Sequence, residues 1–173
     1  MTALYVIGAI ILILVIMGFV FSGEMRVERT IAVARPVANV FDFLKFTGNH
    51  DKFSEWNMAD PAMKKEYRGT DGQIGFVYRW DSQNKNVGAG EQETTGLKPN
   101  ESLDYELRFQ RPMKSVAKGH FILKSTGGNS CYVTWIFAGD STFPMSIMKP
   151  LMTRMLGSSM QRSLNNLKKV LQA

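Results

Sequence analysis

Cysteine and histidine are scarce in this chain of 173 residues, which has one cysteine, Cys131, and two histidines, His50 and His120. A single cysteine excludes an intramolecular disulfide, which fits a reducing compartment. One thiol and two distant imidazoles do not make a zinc-ligand cluster, and they leave no pattern for a Ser–His or Cys–His nucleophile. The sequence contains no phosphate-loop motif. Gly88-Ala89-Gly90 is not a dinucleotide-binding signature, because no helix is predicted to follow it. We therefore predict no metal and no cofactor.

Charge is missing from the start of the chain, because no charged side chain precedes Glu24. Within that stretch, the residues from Ala3 to Phe21 form an unbroken run of 19 apolar or small residues. As a helix rising about 1.5 Å per residue, the run would be about 28 Å long, close to the hydrocarbon thickness of a bilayer. The pattern predicts a transmembrane anchor at residues 1–23 and one globular domain at residues 24–173.

Two other interpretations of the apolar run stay open. A cleaved signal peptide has a basic n-region and a shorter apolar stretch, and Val20-Phe21-Ser22 is a poor cleavage site. A buried core helix is seldom apolar on all sides. If the run is an anchor, Arg26, Arg29 and Arg35 directly after it predict a single-pass membrane protein with its domain on the cytoplasmic side.

Basic residues outnumber acidic ones by 21 to 15, so that the net charge is +6, all of it beyond the apolar run. Attraction of a tethered domain to anionic lipid is one use of this charge, and ordinary solubility is another. The lysines and arginines are scattered and match no recognition motif, so no nucleic-acid partner is predicted.

Alternating polarity and turn residues predict an α+β domain after the apolar run. A strand at 25–33 ends at Arg35-Pro36, and helical spacing follows at 37–46, with a second short helix at 47–53. Six further strands, separated by turns too short for crossover helices, should form an antiparallel sheet. These strands are predicted at 64–68, 75–80, 87–95, 102–110, 115–125 and 130–138.

The last third of the chain shows which faces should be buried. On one strand Leu103, Tyr105, Leu107 and Phe109 share a side, and on another Cys131, Val133, Trp135 and Phe137 do, with Tyr132, Thr134 and Ile136 opposite. A terminal helix then follows Pro144 and Pro150. Its apolar stripe, predicted to cover the sheet, comprises Leu156, Met160, Leu164, Leu167 and Leu171.

A set of short segments has a recognisable order and spacing. They are Arg29-Thr30-Ile31 with Pro36 and Val40-Phe41, residues 56–61, 66–70, 75–80, 87–90 and 109–112, Val133-Thr134-Trp135 and the ending 157–168. With the order of elements, these segments resemble the helix-grip fold of the START-like superfamily, also called SRPBCC or Bet v 1-like. The chain is most similar to the bacterial polyketide cyclase/dehydrase and lipid transport group, over nearly everything after the apolar run. One departure is Phe53-Ser54-Glu55-Trp56, where the family pattern has W-x-x-W, which bears on the size of the pocket mouth.

The resemblance implies a curved sheet gripping the C-terminal helix around an apolar cavity, whereas the residues alone also fit a plain packed core. Aromatic and methionine side chains suit a flexible hydrophobic ligand, because aromatic rings offer large apolar faces and methionine conforms to irregular shapes. The candidate cavity residues are Trp56, Tyr78, Trp80, Tyr105, Phe109, Phe121, Trp135, Met148, Met152, Met155 and Met160.

Three functions follow as hypotheses. The first is a membrane-anchored module that binds a lipid or other hydrophobic small molecule. The second is a cyclase- or dehydratase-type enzyme, for which Glu91, Glu93, Tyr78 and Tyr105 are acid–base candidates, although the two acids fit a solvated face better. The third is a protein-interaction module. His120 shares its strand parity with Lys118 and Lys124 and is expected to face solvent, and His50 has no evident role.

Overall fold

The computed structural model describes residues 2–173, without the side chains at positions 3, 4, 10 and 14, and this part of the chain forms helices and one sheet. The α-helices are α1 (Thr2–Val20), α2 (Val37–Leu44), α3 (Glu55–Ala59) and α4 (Lys149–Gln172), with 3-10 turns at Thr47–Lys52 and Met145–Met148. The strands are β1 (Gly23–Val33), β2 (Lys64–Arg68), β3 (Val77–Asp81), β4 (Ala89–Lys98), β5 (Ser102–Arg111), β6 (Ser115–Ser125) and β7 (Cys131–Ser141).

All seven strands form one antiparallel sheet in the order β1-β7-β6-β5-β4-β3-β2. Strands β2 to β7 are joined by short turns to their sequence neighbours, while β1 pairs with β7 from Gly23↔Ser141 to Val33↔Cys131. The predicted α+β helix-grip architecture is confirmed. The boundaries moved by a few residues: β4 begins and ends later than predicted, β7 runs on to Ser141, and α2 stops at Leu44.

Helix α4 covers the concave face of the sheet because its apolar stripe is continuous over its C-terminal half. Met160, Leu164 and Leu167 are completely buried there. They belong to one apolar cluster with Val27 of β1 and Phe121 of β6. Burying such side chains is the main favourable term in folding, so this contact holds the helix to the sheet.

The segment between α2 and β2 is tied to α4 by directed hydrogen bonds. The backbone N–H of Glu55 donates to Ser163 Oγ (2.9 Å), and Arg162 forms a two-pronged ion pair with the Glu55 carboxylate (2.5 and 2.9 Å). At its other end, the carboxylate of Asp71 accepts from the N–H groups of Thr47 (2.8 Å) and Gly48 (3.0 Å). These contacts hold the segment across one end of the concave face.

Helix α1 meets the domain at the Met145–Met148 turn. Gly18 permits this approach, because a Cβ there would overlap the ring of Phe143. Ser146 Oγ donates to the carbonyl oxygen of Gly18 (2.6 Å), and the rings of Phe19 and Phe143 stack with centroids 5.9 Å apart. The helix is thus packed against the domain.

The predicted anchor includes side chains outside the described set. Among the residues that are described, no helix was found with the length and apolar character that a membrane crossing requires.

Two residues lie on the outer face of the sheet as their strand parity predicted, but they are more buried than that position suggests. Ile136 is only 4 % exposed although its strand parity placed it outward. Its register neighbours on that face are Glu28 and His120. His120 is half-buried rather than free in solvent, because its Nδ1 lies 2.7 Å from Asp104 Oδ1. Cross-strand pairing on this face therefore covers an apolar side chain.

Leu164→Ala should lower the free energy of unfolding by about 2–5 kcal/mol, because it leaves a void where α4 meets the sheet. The matched change Lys169→Ala, at an exposed position of the same helix, should stay within about 0.5 kcal/mol of the parent. Denaturant unfolding of the full chain in mild detergent, followed by tryptophan fluorescence, measures both. Equal effects of the two substitutions would contradict the role given to this contact.

Candidate functional site

A cavity of about 460 Å³ lies between the concave face of the sheet and the N-terminal half of α4. Its volume falls within the range of about 300–1,000 Å³ typical of small-molecule pockets. The cavity adjoins two apolar clusters, one built on α4 and the other on Met63, Phe76, Tyr78 and Trp80. The space between the sheet and α4 therefore contains two separate apolar clusters, and the cavity beside them is not filled by side chains.

The mouth of the cavity is marked by the lining residues that are exposed. They are concentrated around the turn between β5 and β6, from Arg111 to Val116, and near the end of β7, at Asp140 and at Thr142 just after it. Met152 of α4 completes this rim. The deeper wall comes from the buried faces of β3 to β7.

Eight of the eleven candidate residues are brought together in the lining. Strands β3, β5 and β7 present theirs on the concave face, while α3 and α4 contribute from the opposite side. These residues are Trp56, Tyr78, Trp80, Tyr105, Phe109, Trp135, Met152 and Met160.

The other three candidates lie outside the lining. Phe121 is fully buried in the solid core, with its ring stacked on Trp135 at 4.9 Å between centroids. Met148 and Met155 are 44 % and 62 % exposed. Met155 lies outside the lining because of its helical phase. The side of α4 that faces the cavity carries residues 152, 156 and 160, at four-residue spacing.

The segment Phe53-Ser54-Glu55-Trp56, which differs from the W-x-x-W pattern of the family, closes one end of the cavity by aromatic packing. Phe53 is fully buried, and both Phe53 and Trp56 line the cavity. Their rings meet that of Trp135 edge-on, at 6.4 Å and 6.0 Å between centroids. Phe53, which occupies the position of the first tryptophan in the W-x-x-W pattern, therefore forms part of the cavity wall and does not widen the cavity mouth.

Tyr105 is held in the wall by a hydrogen bond from an indole. Trp135 Nε1–H donates to Tyr105 Oη (2.5 Å), and the phenol ring fits over Gly119, where any Cβ would overlap it. Burial raises the pKa of Tyr105, and it also raises the pKa of Tyr78. Both hydroxyls therefore stay protonated at physiological pH.

His50 is a lining residue that the sequence did not reveal. Its Nε2 lies 3.0 Å from the carbonyl oxygen of Leu44, which can only accept, so Nε2 carries the proton. Burial against Phe53 and Phe121 lowers the pKa of His50 below its ordinary value of 6.5, although Asp71 and Asp51 oppose the shift. The ring is neutral, with Nδ1 unprotonated.

Gln92 is the second polar residue that sequence analysis missed, and strand parity was the available signal. It lies opposite Tyr78 on the concave face, whereas Glu91 and Glu93 point to the outer face. There, the guanidinium of Arg108 pairs with both of these glutamates (2.6 and 2.7 Å) and with Glu106 (2.7 Å). The acid–base candidates Glu91 and Glu93 are thus outside the cavity.

The chemistry of the cavity is that of neutral hydrogen-bonding groups in an apolar wall. Its charged lining residues, Arg111, Lys114 and Asp140, are all exposed at the mouth, and Arg111 is paired with Asp81. Within the described part of the chain, no cluster of three His, Cys, Asp or Glu side chains could hold a metal ion. The arrangement suits binding of an apolar molecule better than hydrolysis.

Acidification should weaken the fold through His50. Its folded-state pKa is lowered, so below about pH 6.5 the unfolded chain binds a proton that the folded chain does not. The free energy of unfolding should therefore fall between pH 7 and pH 5, by at most about 1.4 kcal/mol per pH unit from this group. His50→Gln keeps an N–H donor for Leu44 and should show a shallower dependence. Identical pH profiles for parent and variant would contradict the assignment.

Comparison with known proteins agrees with the architecture. A family described as "Polyketide cyclase / dehydrase and lipid transport" matches residues 24–172. No curated protein matches the chain.

Solved structures share the fold at low sequence identity. Norcoclaurine synthase from Thalictrum flavum is 13% identical, covers 91% of each chain and has a TM-score of 0.66. A Chromobacterium violaceum protein is 13% identical over 86% of this chain and 98% of its own, with a TM-score of 0.61. Aha1 from Colwellia psychrerythraea, solved as a dimer, is 13% identical over 84% and 95%, with a TM-score of 0.57. With the family match spanning the whole domain, this chain belongs to the polyketide cyclase/dehydrase and lipid transport family, within the SRPBCC superfamily.

Proposed function

We propose that this protein is a membrane-anchored binding protein that takes a lipid or another hydrophobic small molecule into its cavity. The observation that carries the proposal is the cavity of about 460 Å³, whose lining includes eight Phe, Tyr or Trp residues and six methionines. The family match supports the same class of ligand.

The hydrophobic effect would drive binding in such a wall. Each square ångström of apolar surface removed from water contributes about 25 cal/mol, so a ligand that covers a few hundred square ångströms gains several kcal/mol. Met63, Met152 and Met160 add adaptability, because their unbranched side chains follow irregular ligand shapes. A protein of this kind accommodates related ligands without a rigid template.

The apolar N-terminal run supports the membrane part of the proposal. In the sequence this run carries no charged residue, and among its described side chains Ile11, Leu12 and Phe19 are more than half exposed. Helix α1 packs on Phe143 and Ser146, immediately after the rim residue Thr142. An anchor attached there would hold the mouth near the bilayer and raise the local concentration of membrane-soluble ligand.

An enzyme of the cyclase or dehydratase type is the second candidate, favoured by one observation. The lining includes a neutral imidazole, His50, and two protonated phenols, Tyr78 and Tyr105, which can relay or donate protons. A buried carboxylate, which would strengthen this alternative, does not occur among the lining residues. Binding without turnover therefore has the stronger support.

Filling the cavity should abolish ligand retention. Leu156→Trp places a large ring into the lining, so we expect at least about a tenfold drop in apolar ligand recovered with the full chain. The matched control Leu151→Trp changes an exposed residue of the same helix outside the lining and should retain ligand. Native mass spectrometry of protein purified from membranes in mild detergent makes the comparison. Recovery of no apolar ligand from the parent, or equal recovery from both variants, would overturn the binding function.

The anchor and its orientation can be tested together. The full chain should sediment with membranes and resist extraction at alkaline pH. Ser158→Cys adds an exposed thiol on α4, while the native Cys131 is 1 % exposed and stays unreactive. A membrane-impermeant maleimide should label this variant only after cell lysis, because the positive-inside tendency places the domain in the cytoplasm. Labelling of intact cells would reverse the orientation, and release at alkaline pH would refute the anchor.

A further inference from the structure

We propose that Tyr78, Gln92 and Tyr105 form a polar subsite inside the cavity that selects uncharged ligands carrying a hydrogen-bond acceptor oxygen, such as a ketone or an ester. This inference rests on the proposed binding function and narrows its ligand class.

The sheet register brings the three side chains onto one area of the concave face. Tyr78 and Gln92 are direct cross-strand partners on β3 and β4. Gln92 faces Leu107 on β5, so Tyr105 is its diagonal neighbour two residues away. Directly opposed Cβ atoms lie about 4.5–5.5 Å apart and diagonal residues about 7–8 Å, within reach of one ligand group.

Gln92 is the least satisfied member of this subsite. It is 9 % exposed, and no described residue hydrogen-bonds to its side-chain amide. Neither amide atom is sealed off from the cavity that Gln92 lines. A buried amide has two N–H donors and one acceptor, and leaving them unpaired is unfavourable. The amide is therefore available to a bound molecule.

The two tyrosines add donors to the same area. Tyr105 Oη already accepts from Trp135 Nε1–H, which leaves its own hydrogen free to donate. Among the described residues, the hydrogen-bond partner of Tyr78 Oη is the sulfur of Met63, a weak acceptor at 4.0 Å. Because both phenols stay protonated, the two hydroxyl groups and the two N–H groups of Gln92 give the subsite more donors than acceptors, although the Gln92 carbonyl oxygen can accept. The subsite therefore complements an acceptor oxygen on the ligand.

The described residues of this wall include no cation that could pair with an ionised ligand. Among the described lining residues, the cationic ones are Arg111 and Lys114, both exposed at the mouth. A carboxylate or phosphate placed against Tyr78 and Gln92 would lose its hydration without gaining an opposite charge. An ionised headgroup is thus disfavoured in the interior, whereas a neutral carbonyl is accepted.

Intrinsic fluorescence offers a direct measure of occupancy, because all three tryptophans of the chain line the cavity. The probes are the dibrominated forms of dodecane, methyl dodecanoate and dodecanoate, whose bromines quench indole emission on contact. Each is titrated into the full chain in detergent micelles. After correction for partition into the micelles, the ester should bind about fivefold more tightly than the alkane, as one net hydrogen bond predicts. The ionised acid should bind more weakly than the ester.

Variants test whether these side chains cause the difference. Gln92→Leu and Tyr78→Phe should each lower the ester's affinity towards that of the alkane and leave the alkane's affinity unchanged. The matched control Gln110→Leu, at an exposed outward position on β5, should leave the ester preference intact. Using both variants keeps the test decisive if Gln92→Leu fails to fold.

The two proposals fail in distinguishable ways. Quenching by none of the three probes would refute the binding function itself. Quenching by the alkane with no preference for the ester, tightest binding of the ionised acid, or equal loss of alkane and ester affinity in both variants would refute the subsite alone.

Discussion

Helix α4 packs against only one half of the concave face of the sheet, and the cavity follows from that partial contact. Met160, Leu164 and Leu167 fill the half bounded by β1, β6 and β7. Opposite β3 and β4, the aromatic cluster of Tyr78 and Trp80 has no buried partner from α4. Protein interiors are normally close-packed, so a void of this size between two ordered apolar surfaces depends on both being held in place. The contacts of Glu55 and Arg162 contribute to that rigidity.

The acidic side chains of β4 and β5 lie on the outer face of the sheet, whereas the polar groups inside the cavity are neutral. Carboxylates of β4 and β5 are gathered on the outer face around Arg108. The guanidinium donates hydrogen bonds to Glu93, Glu106 and Glu91, and these bonds raise the pKa of Arg108. The inner face keeps neutral polar groups, since burial holds the pKa of His50 low and those of the tyrosines high. This placement of charge favours an uncharged ligand, because the polar groups inside the cavity can form hydrogen bonds but not an ion pair.

Helix α1 and the cavity rim share one structural element, the connection from β7 to α4. Gly18 and Ser146 are joined by a hydrogen bond, and the rim residue Thr142 and the lining residue Met145 lie within four residues of Ser146. Any displacement of α1 relative to the domain would act first on this connection. Helix α1 therefore contacts the chain segment that borders the mouth of the cavity.

Periodicity in the sequence was sufficient to predict every strand, the covering helix and the faces that they bury, because alternation and helical phase are local properties of the chain. The cavity, eight of whose predicted residues lie in the lining, was expected from the family resemblance. The same signals misplaced Met155, whose helical phase lies off the lining side, and could not distinguish Phe121 in the core from Tyr105 in the wall. His50 was missed because the 3-10 turn that carries it has no clear periodicity, and Gln92 was missed although strand parity places it opposite Tyr78. Local pattern by itself determined which elements form and which faces they bury. Only the tertiary structure decided that a cavity exists and what lines it, since empty volume depends on the distance between elements that are remote in sequence.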